Sequence, residues 1–193
     1  MQNAEIEVFY PTSQAAWRQW LIKNHASHQA VWLVFYKKKA AVQSISWSEA
    51  VDVALCFGWI DSKKIKVDEF RSHQFFSKRK PNSTWSKINK TKVAELTQSG
   101  LMTEAGFESI KIAQQNGSWS HLDEVEDLLI PADLEQAWQA HPTAKAFYLS
   151  LSKTVKKAIL QWLVLAKTPA TRQKRLAVIV ENAELEQKPP HLR

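Results

Sequence analysis

The sequence predicts an α+β protein: a small, mainly antiparallel sheet of about three strands packed with helices, followed by a C-terminal all-helical subdomain. Three observations carry this expectation. Residues 60–68 and 71–78 alternate in the manner of strands, and the aromatic, β-branched run 31–36 precedes them. From Pro131 onward the apolar residues recur at helical spacing. Only four glycines occur in 193 residues, too few for a fold built on many tight β-turns. The expected domains are an α+β core over 1–125 and a helical subdomain over 126–193.

Taken in order, Thr12 and Ser13 after Pro11 offer caps for a first helix with Trp17, Trp20, Leu21 and Asn24 on one face. The strand 31–36 ends at Lys37, Lys38 and Lys39. Ser46 and Glu49 stand at capping-box spacing before a helix over 47–57, whose Ala50, Val51, Ala54, Leu55 and Phe57 face inward. Gly58 breaks it, and the strands 60–68 and 71–78 follow, joined near Asp68 and Glu69. Ser83, after Pro81, is read as the cap of a helix carrying Trp85, Ile88, Val93 and Leu96, which Gly100 stops. Thr103 caps the next, with Phe107, Ile110 and Ala113 inward and Gly117 at its end. Residues 118–130 read as an acidic connector. Beyond it, Leu134, Ala137 and Trp138 define a short face. Ser152 opens a helix with Val155, Ile159, Trp162, Leu163 and Ala166 on a stripe. Thr168 and Pro169 open the last helix, which carries Leu176, Ile179, Val180 and Ala183.

Composition narrows the function. Nine tryptophans are unusual; burying one removes about 200 Å² from water, ~5 kcal/mol before entropy, so most are expected to anchor cores. One cysteine, Cys56, excludes an intrachain disulfide and fits a reducing compartment. The first residues carry two acids and no basic or apolar signal region, and no apolar run is long enough to span a bilayer, so a cytoplasmic protein is expected. The net charge is +7, and its placement is local: residues 61–92 hold ten Lys and Arg against three acids. Such an excess attracts an anionic small molecule, an acidic partner or nucleic acid, or is a solvated face.

The candidate ligand-binding residues are Trp59, Asp61, Arg71, Arg79, Ser83, Trp85 and Asn89. Arg79 beside a helix start at Ser83 combines a guanidinium with helix-terminal amides, an arrangement suited to an anion; Ser83, Ser86 and Asn89 add neutral donors. Trp85 stacks a ring there or belongs to the core stripe. Asp61 orients Arg71 or Arg79, acts as a base, or satisfies loose amides at the turn. No catalytic residues are assigned. The six histidines lack metal-ligand spacing, and no phosphate-binding glycine loop or nucleophile elbow occurs, so neither metal nor cofactor is expected.

The segment 55–62, Leu-Cys-Phe-Gly-Trp-Ile-Asp-Ser, followed by Arg71 and by Arg79-Lys-Pro-x-Ser-x-Trp-Ser-x-x-Asn89, resembles the bacteriocin-protection, YdeI/OmpD-associated family of small bacterial proteins. Further matches are Gly100-Leu-Met102, Gly106, Ala113-x-x-x-Gly-x-Trp119, Pro131-x-Asp-Leu134, Ala166-Lys167 and Thr171-Arg-x-x-Arg-Leu176. Two positions depart: Lys78 stands where many relatives have Pro, and Ala170 where Glu commonly precedes Thr171-Arg172. The resemblance implies a protection or stress-resistance role, and supplies no catalytic mechanism. A non-catalytic protein binding an anionic ligand or partner through the 61–92 surface is the leading expectation. The alternatives are a nucleic-acid-binding protein using the same patch, or an enzyme with Asp61, Arg71, Arg79 and Asn89 around one cleft.

Overall fold

Four strands, rather than about three, form the sheet in the computed structural model, which describes residues 6–193. They are β1 (Val8–Phe9), β2 (Ala30–Tyr36), β3 (Trp59–Lys66) and β4 (Arg71–Lys78), in the order β1-β2-β4-β3. β4 pairs antiparallel with both β2 and β3, whereas β1 lies parallel to β2. The sequence reading missed β1 because two residues show no alternation. The strand is placed by main-chain bonding alongside β2, where the Trp32 amide donates to the Glu7 carbonyl at 2.9 Å.

By its contacts the chain divides into two units, Met1–Ser120 and His121–Arg193, each with its own buried cluster. In the first, α1 (Gln14–Asn24) is capped by Ser13, whose hydroxyl accepts from the Ala16 amide, and it buries Trp17, Trp20 and Leu21. The Trp17 indole donates to the Ala50 carbonyl of α2 (Trp47–Cys56) at 3.1 Å, which ties the two helices. The capping box at Ser46 and Glu49 forms as its spacing predicts. Two expected faces are corrected. Phe107 is 47% and Ile88 is 64% exposed, because α3 (Lys87–Gln98) and α4 (Glu104–Gln115) present Val93 and Ile110 with Ala113 to the core instead.

The join between α2 and β3 sets the rest of this unit. Gly58 has φ +68, a conformation that L side chains rarely adopt, and it turns the chain directly from helix into strand. The first turn of α4 packs on the end of α2. Thr103 donates to the Cys56 carbonyl through both its amide (3.1 Å) and its hydroxyl (2.6 Å), and a Cβ at Gly106 would lie 2.3 Å from that same carbonyl oxygen.

The second unit is all helical: α5 (Asp123–Glu126), α6 (Ala132–Ala137), α7 (Pro142–Ser150), α8 (Lys153–Val164) and α9 (Pro169–Glu184). The expected acidic connector is partly built structure, with Leu122 and Val125 buried. Trp138 and Tyr148 meet at 4.7 Å between ring centroids at the centre of the cluster. Arg172 on α9 holds Asp133 on α6 with two hydrogen bonds, from Nε at 2.5 Å and from Nη2 at 2.8 Å. Those bonds from Arg172 are the main reason the Asp133 carboxyl is held below the usual range. Among the described residues, no helix is long and apolar enough to cross a membrane.

Two outcomes follow. Gly106→Ala forces α4 away from Cys56, and urea unfolding should show a loss of about 2–3 kcal/mol, as for overpacked cores. Asp133→Asn should cost about 1 kcal/mol at neutral pH, since the pair is partly exposed. A lowered folded pKa contributes stability above the unfolded value and loses it as pH falls through the folded one. Thermal melts of the variant and the parent should therefore converge in acid, where Asp133 itself is protonated.

Candidate anion-binding site

At the Gly58 turn, β3 begins with Trp59, and its register partner Lys78 ends β4. The Arg79 amide then donates to the Gly58 carbonyl at 2.9 Å, so the guanidinium leaves the sheet beside the α2–β3 join. Gly58, Trp59, Lys78 and Arg79 line a cavity of about 370 Å³ with His25 and Phe57, closed on one side by Ala105, Ser109 and Ile112 of α4. A side chain at Gly58 would meet Ala105 and Ser109 at about 3 Å, so the close approach of α4 shapes this wall.

Arg79 lies flat against Trp85, its guanidinium carbon 3.7 Å from the ring centroid. Trp85 in turn packs on Trp119 at 4.9 Å, and the Lys90 ammonium sits 5.3 Å from the Trp119 ring. The loop carrying Arg79 is fastened from the same side. Asn116 Nδ2 and Ser118 Oγ both donate to the Pro81 carbonyl, at 2.9 and 3.1 Å. Two motifs more than thirty residues apart in sequence, one around Pro81 and Trp85 and one around Asn116 and Trp119, thus form a single support.

Arg79 Nη1 donates to the Thr84 carbonyl at 2.9 Å, while Nε and Nη2 are buried and bonded to no protein group. These two N–H groups form the side edge of the guanidinium, whose parallel donors match the two oxygens of a carboxylate. Arg172 uses that very edge on Asp133. The indole N–H groups of Trp59 and Trp85, residues only 1% exposed, are likewise buried and unbonded. Burial pushes the Arg79 pKa down to about 10, with Asp61 pulling the other way. The guanidinium remains charged at neutral pH, and a fall of that size corresponds to uncompensated desolvation on the order of 3 kcal/mol. A larger cavity, about 790 Å³, lies between α6 and α9, but Asp133, Glu181 and Glu184 line it and repel an anion.

Residues 9–109 match a family described as a domain of unknown function, DUF8412. This is just over half of the chain. The protein belongs to the DUF8412 family. Residues 127–185 match a second family, described as bacteriocin-protection, YdeI or OmpD-associated, which is the resemblance carried by the sequence motifs. No curated protein and no solved structure matches the chain. The whole basic segment and every cavity-lining residue but Ile112 lie inside the DUF8412 match, whereas the bacteriocin-protection match falls on the helical unit.

Of the residues singled out in the sequence, this DUF8412 protein brings together Trp59, Arg79 and Trp85, with Asp61 acting on Arg79 through its charge. The Asp61 carboxylate accepts from the Trp47 indole at 2.9 Å and from Gln74 Nε2 at 3.0 Å, both through Oδ2. Arg71 stands at the other end of β4, roughly 25 Å along the strand from Arg79, and bonds Asp68 in the hairpin turn. One cleft holding both arginines is therefore not formed. Ser83 does not cap α3: its amide closes a turn to the Lys80 carbonyl, and Ser86 is the cap, accepting from the Asn89 amide at 3.3 Å. The Asn89 amide thus belongs to the first turn of α3. Cys56 is buried and its thiol pushed up by that burial, which makes it a poor nucleophile. Sequence reasoning missed His25, Ser109, Asn116 and Ser118; only the Gly117-x-Trp119 motif hinted at the last two.

Trp119→Ala uncovers Trp85 and loosens the loop beneath it. Hydrogen exchange should speed up at the Lys80–Ser86 amides by roughly tenfold or more, in line with a lost aromatic contact of at least 1 kcal/mol, while the α2 amides keep their protection.

Proposed function

We propose that the protein serves a bacteriocin-protection-like, stress-resistance role by binding a small organic anion, without catalysis, in the cavity beside Arg79. The observation that carries this reading is the buried Nε/Nη2 edge of Arg79, bonded to no protein group and stacked in place by Trp85. The walls supplied by Phe57, Trp59, Ala105 and Ile112 suit an apolar body, and the guanidinium suits its carboxylate. Lys78 and Lys80 at the rim, with Arg79, outnumber the one acid there, Glu108, and the net positive potential favours entry of an anion over a neutral analogue. The Trp59 and Trp85 indoles present further donors to the same region of the fold. A reducing, cytoplasmic setting belongs to the same reading, since Cys56 is a free thiol.

The test uses benzoate as probe and neutral benzamide as its control. Benzoate should raise the melting temperature of the wild type in a concentration-dependent way, as any ligand of the folded state does, and benzamide should not. Arg79→Lys keeps the charge and removes the paired edge, so the benzoate response should fall by about tenfold or more in apparent affinity. Arg71→Ala, at the far end of β4, should respond like the wild type. Equal responses from the wild type and Arg79→Lys would sink the reading.

A further inference from the structure

The sheet has one covered and one open face. Val31, Leu33, Phe35, Trp59 and Phe76 enter the buried cluster of the first unit. The alternate positions point the other way, as the strand period of two requires. Trp32, His73, Phe75 and Ile65 lie there, and none of them joins that cluster. Trp32 and Phe75 are register partners, their ring centroids 4.9 Å apart at 71°, and the His73 ring lies 6.4 Å from Trp32. Lys63, in the bulged part of β3, holds its ammonium 5.2 Å from both the Trp32 and the Phe75 ring. Arg71 borders the row at the hairpin end.

The charge on these strands is one-sided. β2, β3 and β4 carry Lys63, Lys64, Lys66, Arg71 and Lys78 against a single acid, Asp61. Asp61 is paired in register with the inward Phe76 and accepts from the buried Gln74, which places it on the covered side. By the same register Lys64, Lys66 and Lys78, paired with Gln74, Ser72 and Trp59, share that side, so the open face carries its half-buried rings with Lys63 and with Arg71, whose Nε bonds Asp68 in the hairpin turn. Burial and the neighbouring Arg71 push the His73 imidazole down, so it adds a neutral ring to the row. Phe75 and His73 are two residues apart on one strand, about 7 Å, a step that one extended nucleotide spans.

We propose that this open face, through the Trp32, Phe75 and His73 rings and the Lys63 and Arg71 cations, binds single-stranded nucleic acid. Bases stack on the rings, which any base can do, and the cations meet the phosphates. The duplex hides its base faces, so rings offered for stacking call for a single strand. The face is separate from the Arg79 cavity and does not depend on it.

The experiment follows the fluorescence anisotropy of fluorescein-labelled oligo(dT) of twenty nucleotides with the full chain, over a salt series starting at low salt. Binding should weaken with salt at a log–log slope of about −1.4, for two phosphates at roughly −0.7 each. Trp32→Ala and Phe75→Ala should each weaken binding by about 5- to 100-fold, and Trp32→Phe should recover most of it. Lys63 is exposed, so Lys63→Gln leaves packing intact and should both weaken binding and flatten the slope by about 0.7. Arg79→Lys should bind the oligonucleotide as the wild type does. No anisotropy change at low salt overturns the proposal. So does undiminished binding by Lys63→Gln and by a Trp32→Ala variant with an intact melting transition, or equal competition by a duplex of the same length. Binding to phosphatidylserine vesicles without binding to the oligonucleotide also overturns it.

Discussion

The approach of α4 to the end of α2 is the contact on which the first unit depends. A helix normally keeps its neighbours at a distance set by side chains. Here Gly106 removes the side chain, and the Thr103 amide and hydroxyl take up the Cys56 carbonyl that the end of α2 leaves over. With that carbonyl satisfied, the chain can turn at Gly58 straight into β3 without a loop. The turn and the α4 wall together leave a cavity whose rim is the junction of β3 and β4. This arrangement brings a strand end, a helix end and the Arg79 loop to one place.

Arg79 is then held by packing rather than by an ion pair. Trp85 supports one face of the guanidinium, Trp119 supports Trp85, and Asn116 and Ser118 hold the loop by the Pro81 carbonyl. The second unit contains the instructive contrast. Arg172 and Asp133 satisfy each other through a paired edge, and their pKa values move apart in the stabilising direction. Arg79 moves the opposite way, toward easier loss of its proton, because burial outweighs the distant Asp61. One arginine closes a structural joint and the other keeps the same edge unbonded beside a cavity, which is why the proposed anion reading attaches to Arg79 alone.

Much of the secondary structure was legible in the residues. The capping box at Ser46 and Glu49, the Ser13 cap, the antiparallel pair about Asp68 and the Thr168-Pro169 start of α9 each rest on a local rule with few alternatives. Where several local choices were equivalent, the reading failed. Ser83, Thr84 and Ser86 are all competent caps, and the anchoring of Pro81 and the burial of Trp85 selected Ser86. Phe107 and Ile88 have the hydrophobicity of core residues, but the faces of α3 and α4 are chosen by what they pack against. Leaving two large apolar side chains out of a core is ordinary once smaller or better placed ones fill it.

The sequence by itself determined the α+β class, the helical nature of everything beyond Pro131 and the confinement of the net charge to residues 61–92. Each depends on composition or on spacing within one element, which are local properties. Only the tertiary structure decided that Arg71 and Arg79 occupy opposite ends of one strand, that Trp119 backs Trp85, and that β1 closes the sheet edge beside β2. A strand eight residues long separates its ends by far more than any side chain can reach, and a cavity exists only where elements remote in sequence stop short of one another.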